Sequence, residues 1–458
     1  MTAIAALIDA LPAGRVLTAV DSMERYRHDE AEWAPHGIPL AVVRPESSAE
    51  VQAIVRFAIT EGIPVVTRGA GTGLSGAANA VDGCLIVSTE RMATVLEVDA
   101  GERWVRVQPG VIGDDLRAHL APLGLWYPPD PASSPWSTIG GNIATNAGGM
   151  CCVKYGVTGD YVLEVEVVTG TGEIVRLGRR TAKGVAGYDL RGLIVGSEGT
   201  LGIVTEAVLR VKALPRNPIT VVGYFDSVVD AGRAVAQVAQ TGITPSALEL
   251  VDRHCLRAVD EWKHMGLSAD AEAVLIGRTD APGAQGDAEA DGLVAAFEAG
   301  GATFAARSSD DQESDALYAA RRLAYPALER LGPVLTEDVC VPMREVPGML
   351  AQIEAIAARH DVHIANLAHA GDGNLHPLII VPAGDEAARE RAHAAFGEII
   401  SSALAVGGTV TGEHGVGLLK LPGLIQELSP EVLAMHRAVK AALDPHGILN
   451  PGKAIPTA

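Results

Sequence analysis

Three glycine-dense segments in the N-terminal half constrain the fold of this chain more than any other feature of its sequence. They are RGAGTGLSGAANA (68–80), the stretch 128–162 and GSEGTLGIVTE (196–206). Glycine is used where backbone must bend sharply or approach a ligand closely. Three such segments in one region therefore indicate a long ligand that lies against backbone across several strands.

The first segment contains a G-x-G-x-x-G match at Gly71, Gly73 and Gly76. A dinucleotide-binding Rossmann unit requires a helix directly after such a match. Here an Asp-Gly turn and a strand-like run follow instead (AANAVDGCLIVS), so the Rossmann interpretation loses its context. We expect a loop whose backbone N–H groups form an anion-binding concavity, with Arg68 near its entrance. A tight glycine-rich turn without a ligand is the alternative.

Length and charge limit the classes of protein to which the chain can belong. Its 458 residues indicate two or three domains, and we place the end of the first half near Pro215. The net charge of −20 disfavours binding to nucleic acid or to anionic lipid, and an anionic substrate would need a local cationic centre. The five scattered cysteines provide no haem or iron–sulfur motif.

The N-terminus and the hydropathy pattern bear on localisation. The stretch MTAIAALIDALPAGR has no basic region and is typical of a short helix rather than a signal peptide. No apolar run approaches the roughly 20 residues that a membrane span needs. We expect a cytoplasmic protein, or one attached peripherally to the inner membrane.

Hydrophobic periodicity predicts the secondary structure around these segments. In the first half we expect a helix capped by Ser47, a strand at 64–68, short strands at 84–107, a helix from about Ile112 and a hairpin at 162–177. Residues 128–160 have little periodicity, and we expect a long functional loop there. In the second half the predicted helices are 228–240, 287–299, 315–331, 346–360 and 430–443, and the predicted strands are VLIGR, VHIANLAH and LHPLIIV.

The second half also carries residues with metal-binding chemistry. The segment AHAGDGNLHPLI places His369 and His376 on either side of an Asp-Gly turn, and GEHG supplies the adjacent Glu413 and His414. Two imidazoles and one carboxylate suit a borderline divalent ion, zinc or manganese, and leave positions open for substrate. From these residues alone, hydrogen-bonded polar side chains without a metal are the better interpretation.

In combination, RGAGTGLSGAA, PPDP…STIGGNIATNAGG…YG, GSEGTLGIVTE and a terminal NPGK resemble the vanillyl-alcohol-oxidase-type (PCMH-type) FAD-binding flavoproteins. Within them, the chain is similar to the branch that contains the D-lactate dehydrogenases and the FAD-binding subunit of glycolate oxidase, from about residue 40 to the C-terminus. The resemblance implies an α+β fold with a two-subdomain FAD-binding domain at 36–215. An α+β cap domain with an antiparallel sheet and the metal site would occupy 216–458, and its C-terminal tail would return to the FAD-binding domain.

The resemblance also implies which residues hold FAD. The first segment would cradle the pyrophosphate, the second would line the cofactor, the third would hold the adenine side, and the tail would approach the flavin. The implied cofactor-binding residues are Arg68, Gly69, Ala70, Gly71, Thr72, Gly73, Leu74, Ser75, Gly76, Pro129, Asp130, Ser137, Thr138, Gly140, Gly141, Asn142, Thr145, Asn146, Gly148, Gly149, Tyr155, Gly156, Glu198, Gly199, Ile203, Val204, Asn450 and Lys453. Some family members attach FAD through a histidine in the first segment. Because RGAGTG contains none, we expect non-covalent FAD.

The resemblance reverses the interpretation of the histidines, because HAGDGNLH and GEHG match the family's metal-binding segments. It implies that His369, His376 and Glu413 are the metal ligands and that His414 is the catalytic base. Arg321 would clamp the substrate carboxylate, although a solvated helix face is the alternative. The implied reaction is FAD-dependent, divalent-metal-assisted oxidation of a small D-2-hydroxy acid to the 2-oxo acid, with hydride transfer to flavin N5.

Residue 336 bears on whether the substrate has one carboxylate or two. The family's 2-hydroxyglutarate enzymes carry Lys before the Asp of a K-Y-D-x-x-x-P segment, whereas this chain has Thr336 in TEDVCVP. A small monocarboxylate, D-lactate or glycolate, is therefore favoured.

Two alternative functions stay open. The chain could be the FAD-binding subunit of a multi-subunit glycolate oxidase complex, inactive alone, or a nucleotide-binding protein without redox activity. The electron acceptor is open among oxygen, quinone, cytochrome and an electron-transfer flavoprotein. A homodimer and an assembly with oxidase partner subunits are both compatible with the sequence.

Overall fold

A computed structural model of the protein describes residues 3–215, 218–265 and 270–456. The chain divides into two compact units. Unit 1 consists of Met1–Gly148, Val157–Leu214 and Glu413–Ala458, and unit 2 consists of Gly149–Gly156 and Pro215–Gly412. The expected domain boundary at 215/216 adjoins residues 216–217, which lie outside the described residues. Within the described ranges, no helix combines the length and the apolar character that a bilayer crossing requires.

Unit 1 contains the N-terminal strands and the C-terminal helices. Its strands are β1 (Val16–Leu17), β2 (Ala41–Val43), β3 (Val65–Arg68), β4 (Leu85–Ser88), β5 (Val95–Asp99), β6 (Trp104–Val107), β7 (Leu125–Trp126), β8 (Val162–Thr169), β9 (Ile174–Gly178), β10 (Gly202–Arg210) and β11 (Lys212–Ala213). Its α-helices are Ala3–Ala10, Val20–Met23, Ser48–Glu61, Gly113–Leu120, Ile139–Thr145, Thr158–Tyr161, Leu190–Ile194, Leu421–Glu427 and Pro430–Leu443.

Two sheets organise unit 1. The first has the strand order β1-β2-β4-β3, in which β2 and β3 run parallel to β4. The second is antiparallel, with the order β5-β6-β10-β8-β9. Helix Ser48–Glu61 packs against both, because its buried apolar side chains share a core cluster with Val65 and Leu85 of the first sheet and Val168 and Ile203 of the second.

The start and end of helix Ser48–Glu61 are set by its flanking residues. The Ser47 side chain accepts from the N–H of Glu50, and Gly62 ends the helix with a φ of 65°. A serine cap at the start and a left-handed glycine at the end are both common at helix ends. Strand β3 follows within a few residues and delivers the chain to Arg68, so this helix–strand pair positions the first glycine segment.

The C-terminal tail returns to unit 1, as expected. The Val65 N–H donates to the Ile448 carbonyl, and the Asn450 N–H donates to the Val65 carbonyl, both at 2.8 Å. Ile448 and Leu449 are buried in the core around β3. Since β3 is an edge strand, the tail extends the sheet and brings residues 450–453 beside the end of β3.

Unit 2 is built on one large antiparallel sheet. Its strands are β12 (Ile219–Phe225), β13 (Ala247–Asp252), β14 (Ala273–Thr279), β15 (Phe304–Arg307), β16 (Val334–Thr336), β17 (Val339–Cys340), β18 (His363–His369) and β19 (Asn374–Ile380). The order is β15-β12-β14-β13-β18-β19-β16, and β17 also pairs with β19. The α-helices are Cys152–Tyr155, Val228–Gln240, Arg253–Lys263, Ala284–Ala299, Asp311–Arg322, Ala324–Glu329, Val346–His360 and Glu386–Ala405.

Helices cover both faces of this sheet. On one face, helices Arg253–Lys263 and Ala324–Glu329 share a core cluster with alternate residues of the strands. On the other, helix Ala284–Ala299 places Phe297 against Gly223, where an added Cβ would lie 2.7 Å from the ring. The α+β fold with an antiparallel sheet in the C-terminal half is therefore confirmed.

Most predicted helices of the second half are confirmed, and 228–240, 346–360 and 430–443 match their observed bounds. The predicted helix 287–299 begins earlier, at Ala284. The single helix predicted at 315–331 is wrong, because the structure has Asp311–Arg322 followed by Ala324–Glu329. Pro326 causes the break, since proline lacks an N–H and clashes with the preceding turn of a continuous helix.

The expectation of a long irregular loop at 128–160 is wrong in part. Residues Ile139–Thr145 form a helix, and shorter helices follow at Cys152–Tyr155 and Thr158–Tyr161. The sequence STIGGNIAT shows little helical periodicity because its glycines weaken the pattern. The side chain of Thr138 nevertheless caps the first of these helices.

Candidate active site

The first glycine segment forms an irregular loop in unit 1. It leaves β3 at Arg68, and the chain between β3 and β4 contains no helix, which confirms that this is not a Rossmann turn. Gly71 and Gly76 have φ angles of 82° and 81°, a left-handed region that other residues rarely adopt. A Cβ on Gly76 would lie 2.6 Å from the Cβ of Ala34, so the backbone is closely packed here.

Arg68 supports this loop by binding backbone. Its Nη1 donates to the His28 carbonyl at 2.7 Å, and its Nη2 donates to the Arg25 carbonyl at 3.2 Å. A side chain at Gly71 would collide with the guanidinium. Burial lowers the pKa of Arg68, and the carbonyl oxygens around it partly replace the lost water.

The second glycine segment meets the first at Thr138. The Thr138 hydroxyl accepts from the Gly141 N–H at 3.2 Å. A Cβ on Gly69 would collide with the same hydroxyl, so glycine is the residue that fits there. The structure thus brings two predicted FAD-binding segments together within unit 1.

Four buried polar atoms in the second segment, in β3 and in the tail lack a hydrogen-bond partner within the part of the chain that the structure describes. The buried atoms Ser137 Oγ, Asn142 Nδ2, Asn450 Oδ1 and Thr67 Oγ1 have no hydrogen-bond partner among the described residues. Leaving such a group unpaired costs about 1–3 kcal/mol, and most buried polar groups are therefore paired. Three of these four residues are predicted FAD contacts, so the set fits a polar cofactor that would supply the missing partners.

Asn450 and Lys453 connect the tail to the first and third glycine segments. Asn450 Nδ2 donates to the Glu198 carbonyl at 2.7 Å and to the Ala77 carbonyl at 2.9 Å. Lys453 Nζ donates to the Ala77 carbonyl at 3.1 Å and also to the Asn79 carbonyl. Burial lowers the pKa of Lys453 to about 8. One short tail therefore holds both segments.

Glu198 binds a different part of the C-terminal segment. Its carboxylate accepts from the N–H groups of Val416 and Gly417, each at 2.8 Å. Burial raises the pKa of Glu198 to about 7, although the two backbone hydrogen bonds act in the opposite direction. The residue has a φ of 51°, which is strained backbone for a residue with a side chain.

The predicted base His414 lies at the start of this segment. Ser75, in the first glycine segment, donates from Oγ to the Gly415 carbonyl at 2.8 Å, and the Leu418 N–H donates to the Ser75 carbonyl at 2.7 Å. Glu413 Oε1 lies 3.9 Å from His414 Nε2. Within unit 1, His414 is therefore anchored to the loop predicted to hold the pyrophosphate.

The remaining predicted cofactor residues divide between the units. Gly149, Tyr155 and Gly156 belong to unit 2, where the Tyr155 hydroxyl binds the Asp280 carboxylate. In unit 1, the Ile203 side chain packs in the hydrophobic core. The others on unit 1 segments are Ala70, Thr72, Gly73, Leu74, Pro129, Asp130, Gly140, Thr145, Asn146, Gly148, Gly199 and Val204.

In unit 2, the two histidines lie on a hairpin, as expected. Strands β18 and β19 pair with His369 opposite Asn374 and Leu367 opposite His376. The turn between them contains Gly373 with a φ of 73°. The two buried rings are nearly perpendicular, and their centroids are 5.0 Å apart.

His369 contacts a carboxylate that sequence analysis did not single out. Its Nδ1 lies 2.9 Å from Oε1 of Glu249, which is fully buried in β13. Oε2 of the same carboxylate lies 2.9 Å from Nε of Arg321. Arg321 is itself buried, so the solvated-face alternative for this residue is wrong. A signal was present in SALELVD, because a lone Glu within an apolar strand needs a buried partner.

His376 contacts a second carboxylate that sequence analysis missed. Asp338 is fully buried, and its Oδ1 lies 3.6 Å from His376 Nδ1. Its other oxygen accepts from the Thr411 hydroxyl at 2.6 Å, and its carbonyl accepts from the Gly412 N–H at 2.9 Å. Glu413 is the next residue along the chain. The signal was the Asp of TEDVCVP, the segment that also contains Thr336.

Comparisons with known proteins agree with this architecture. Residues 39–178 match the model of an FAD binding domain, and residues 214–454 match the C-terminal domain of FAD linked oxidases. The chain is 40% identical over 442 residues to glycolate oxidase subunit GlcD of Bacillus subtilis, covering 96% of this chain and 92% of that protein. It is 34% identical over 451 residues to D-lactate dehydrogenase of Anaerostipes hadrus, covering 96% and 94%. It is 35% identical over 485 residues to D-2-hydroxyglutarate dehydrogenase of Stutzerimonas stutzeri, covering 98% of both.

Solved structures show the same fold at low sequence identity. Substrate-bound p-cresol methylhydroxylase superposes with a TM-score of 0.83 at 18% identity, covering 99% of this chain and 96% of that one. The 4-ethylphenol oxidase from Gulosibacter chungangensis gives a TM-score of 0.82 at 19% identity, covering 99% and 97%. The family matches and the relatives above show that the chain belongs to the FAD-linked oxidases, in the branch of the glycolate oxidase subunits and D-lactate dehydrogenases, and is an FAD-linked oxidoreductase.

Proposed function

We propose that this enzyme oxidises a small D-2-hydroxy acid, D-lactate or glycolate, to the 2-oxo acid, using non-covalent FAD and a divalent metal ion. The names of the three curated relatives all describe enzymes of acids that carry a hydroxyl at C2. An acidic chain of net charge −20 needs a local cation to hold such a substrate.

The observation that carries the proposal is the buried pair Asp338–His376. A carboxylate with no exposure beside an imidazole is costly unless it is paired or coordinates a metal. Because Asp338 also binds the N–H of Gly412, the next residue, Glu413, can complete the set. We take His369, His376 and Glu413, the set that the family resemblance implies, as the candidate group, with Asp338 beside His376 and with His414 as the base outside the group.

The charge balance at Arg321 is a second argument for a metal ion. Its charge is already offset by Glu249 at 2.9 Å, so Arg321 alone supplies no net positive charge to the substrate. A divalent cation in the candidate group would provide that charge and would lower the pKa of the 2-hydroxyl. Zinc and manganese both accept carboxylate and imidazole ligands.

The chain's own side chains then act on the substrate. Arg321 orients the carboxylate, because its planar guanidinium can donate two parallel hydrogen bonds. His414 accepts the proton of the 2-hydroxyl, since an imidazole titrates near neutral pH. FAD supplies the acceptor for the hydride that leaves C2.

Thr336 supports a monocarboxylate. It ends β16, is buried, and its Oγ1 has no hydrogen-bond partner among the described residues. A neutral hydroxyl can donate a hydrogen bond to a second substrate carboxylate, but it supplies no positive charge to pair with it. A longer dicarboxylic acid would therefore leave one carboxylate desolvated and without a cation at this position.

Substrate-dependent flavin reduction tests the proposal. Purified protein should be yellow, and acid denaturation should release all of its FAD into the supernatant. Under anaerobic conditions, D-lactate or glycolate should bleach the flavin, and a dye-linked assay should give kcat/KM values above those for L-lactate and D-2-hydroxyglutarate. An oxidised flavin that no 2-hydroxy acid reduces would contradict the proposed activity.

A second candidate is that the chain is an FAD-binding subunit that requires partner subunits. Its support is that the relatives from Bacillus subtilis and Escherichia coli are named as glycolate oxidase subunits. Single-turnover reduction of the isolated chain separates the two. A subunit inactive alone would leave its flavin oxidised, whereas a self-sufficient enzyme reduces it and needs only an acceptor.

A further inference from the structure

Glu249 is a fully buried carboxylate in a strand whose six residues are all buried. The pairing of β13 with β18 places Glu249 directly opposite His369, and cross-strand neighbours contact each other through their side chains. The same carboxylate lies 2.9 Å from His369 Nδ1 and 2.9 Å from Arg321 Nε. It therefore joins two residues to which the proposed function gives different tasks.

We propose that Glu249 is a positioning residue that sets the geometry of both His369 and Arg321, an inference that rests on the proposed function. An ionised carboxylate only accepts hydrogen bonds, so His369 donates from Nδ1. In the neutral imidazole the other nitrogen, Nε2, then carries the lone pair, which is the form that binds a metal. Histidine ligands usually donate their second nitrogen to such a carboxylate, which fixes tautomer and ring orientation.

Glu249 also positions Arg321. A buried guanidinium needs a counter-charge, and Glu249 meets it at Nε. This ion pair keeps the guanidinium beside Glu249, and the Nη1–Nη2 edge is the one from which a substrate carboxylate would accept. One carboxylate thus holds the proposed ligand and the proposed clamp at a constant separation.

Two substitutions at Glu249 and one matched control test this role. Glu249→Gln removes the charge, and Glu249→Asp keeps it but withdraws the carboxylate from Nδ1. Asp252→Asn is the control, because Asp252 is a buried carboxylate on the same strand that binds the N–H groups of Cys255 and Asn366 instead. Metal-free protein is titrated with Zn²⁺ against a chromophoric chelator, and KM and kcat are measured with D-lactate.

Both Glu249 variants should bind Zn²⁺ about 10- to 100-fold more weakly and show a raised KM, with FAD content unchanged. Asp252→Asn should lose thermal stability but keep wild-type Zn²⁺ affinity and KM. Full rescue by Asp would overturn the positioning role, because charge alone would then suffice. Equal losses in Asp252→Asn would overturn it as well.

Folding and the proposed function need separate readouts. If Glu249→Gln does not fold because Arg321 loses its counter-charge, Glu249→Asp and the double variant Glu249→Gln/Arg321→Gln carry the Zn²⁺ titration. Wild-type protein that binds Zn²⁺ and oxidises D-lactate, beside Glu249 variants that do both equally well, overturns this inference only. Wild-type protein that binds no Zn²⁺ and oxidises neither D-lactate nor glycolate overturns the proposed function.

Discussion

Single ionisable residues removed from water define the chemistry of this chain. Glu198, Glu249 and Asp338 are buried, and each is held by identified neighbours: two backbone N–H groups, an imidazole with a guanidinium, and a hydroxyl with an imidazole. A buried charge is costly unless it is paired. We therefore infer that each of these buried carboxylates positions the neighbours to which it is bound.

At this scale, replacing His414 by Ala tests the proposed base. We expect kcat to fall by roughly 10²- to 10⁴-fold while FAD and metal stay bound, because other side chains are the proposed ligands. Anaerobic single-turnover flavin reduction and metal analysis measure the two effects. His436→Ala is the control, since His436 is exposed on helix Pro430–Leu443. Loss of metal would make His414 a ligand, and an unchanged reduction rate in the metallated variant would exclude the role.

The raised pKa of Glu198 predicts a pH dependence of stability. A carboxyl whose folded-state pKa lies above its usual 4.5 stabilises the fold fully below pH 4.5, and this contribution is lost as the pH rises to about 7. The difference between the two pKa values corresponds to about 3 kcal/mol in the free energy of unfolding. Glu198→Gln cannot titrate, so the Tm of wild type should fall relative to this variant between pH 5 and pH 8. A calorimetric difference that stays constant over this range would contradict the prediction.

At the scale of elements, the loops between strands are held by glycine at specific positions. Gly69→Ala would press a Cβ into the Thr138 hydroxyl and displace the start of helix Ile139–Thr145. We expect the Kd for FAD to rise at least about tenfold, which corresponds to 1.4 kcal/mol, with no change in bound metal. Fluorescence titration of FAD-free protein measures this. Gly101→Ala is the control, because its Cβ meets only Asp99 Oδ1, at 3.4 Å.

Helices and strands with strong hydrophobic periodicity could be predicted from the sequence. Those whose buried and exposed faces differ little in hydrophobicity could not. Helices Val228–Gln240 and Val346–His360 have large apolar residues on one face and match their predicted bounds. Helix Glu386–Ala405 was missed because much of its buried face is alanine, for example Ala388, Ala392 and Ala395. Strand β13 was missed because the apolar run is interrupted by Glu249, which only its partners on other elements explain.

At the scale of the whole molecule, the two units carry different parts of the proposed chemistry. The first and third glycine segments, most of the second and the tail lie in unit 1, and the histidine hairpin lies in unit 2. Each unit also has a hydrophobic core cluster of its own. Cofactor binding in unit 1 should therefore survive changes to the ligands in unit 2.

Metal removal tests this separation. After dialysis against a strong chelator, the protein should keep its FAD and lose at least about 100-fold in kcat, because the proposed cationic centre is absent. Added Zn²⁺ or Mn²⁺ should restore activity. The absorbance of bound flavin, metal analysis and the dye-linked assay measure the three quantities. Loss of FAD in parallel with the metal, or full activity without metal, would contradict the prediction.

The sequence by itself determined features that depend on neighbouring residues. A strand followed by RGAGTG without a later helix predicts the irregular loop after β3, and an Asp-Gly turn between His369 and His376 predicts their hairpin. Turn chemistry and periodicity are local, so they can be read from a single segment. The returning tail was predicted from the family resemblance.

Only the tertiary structure decided which distant side chains meet. Glu249 lies 120 residues before His369, and the register of β13 against β18 brings the two together. Asp338 meets His376 because β17 and β19 pair in the same sheet. Such contacts depend on strand order and register, which are set by how the whole core packs, because a one-residue slip would turn each side chain to the opposite face.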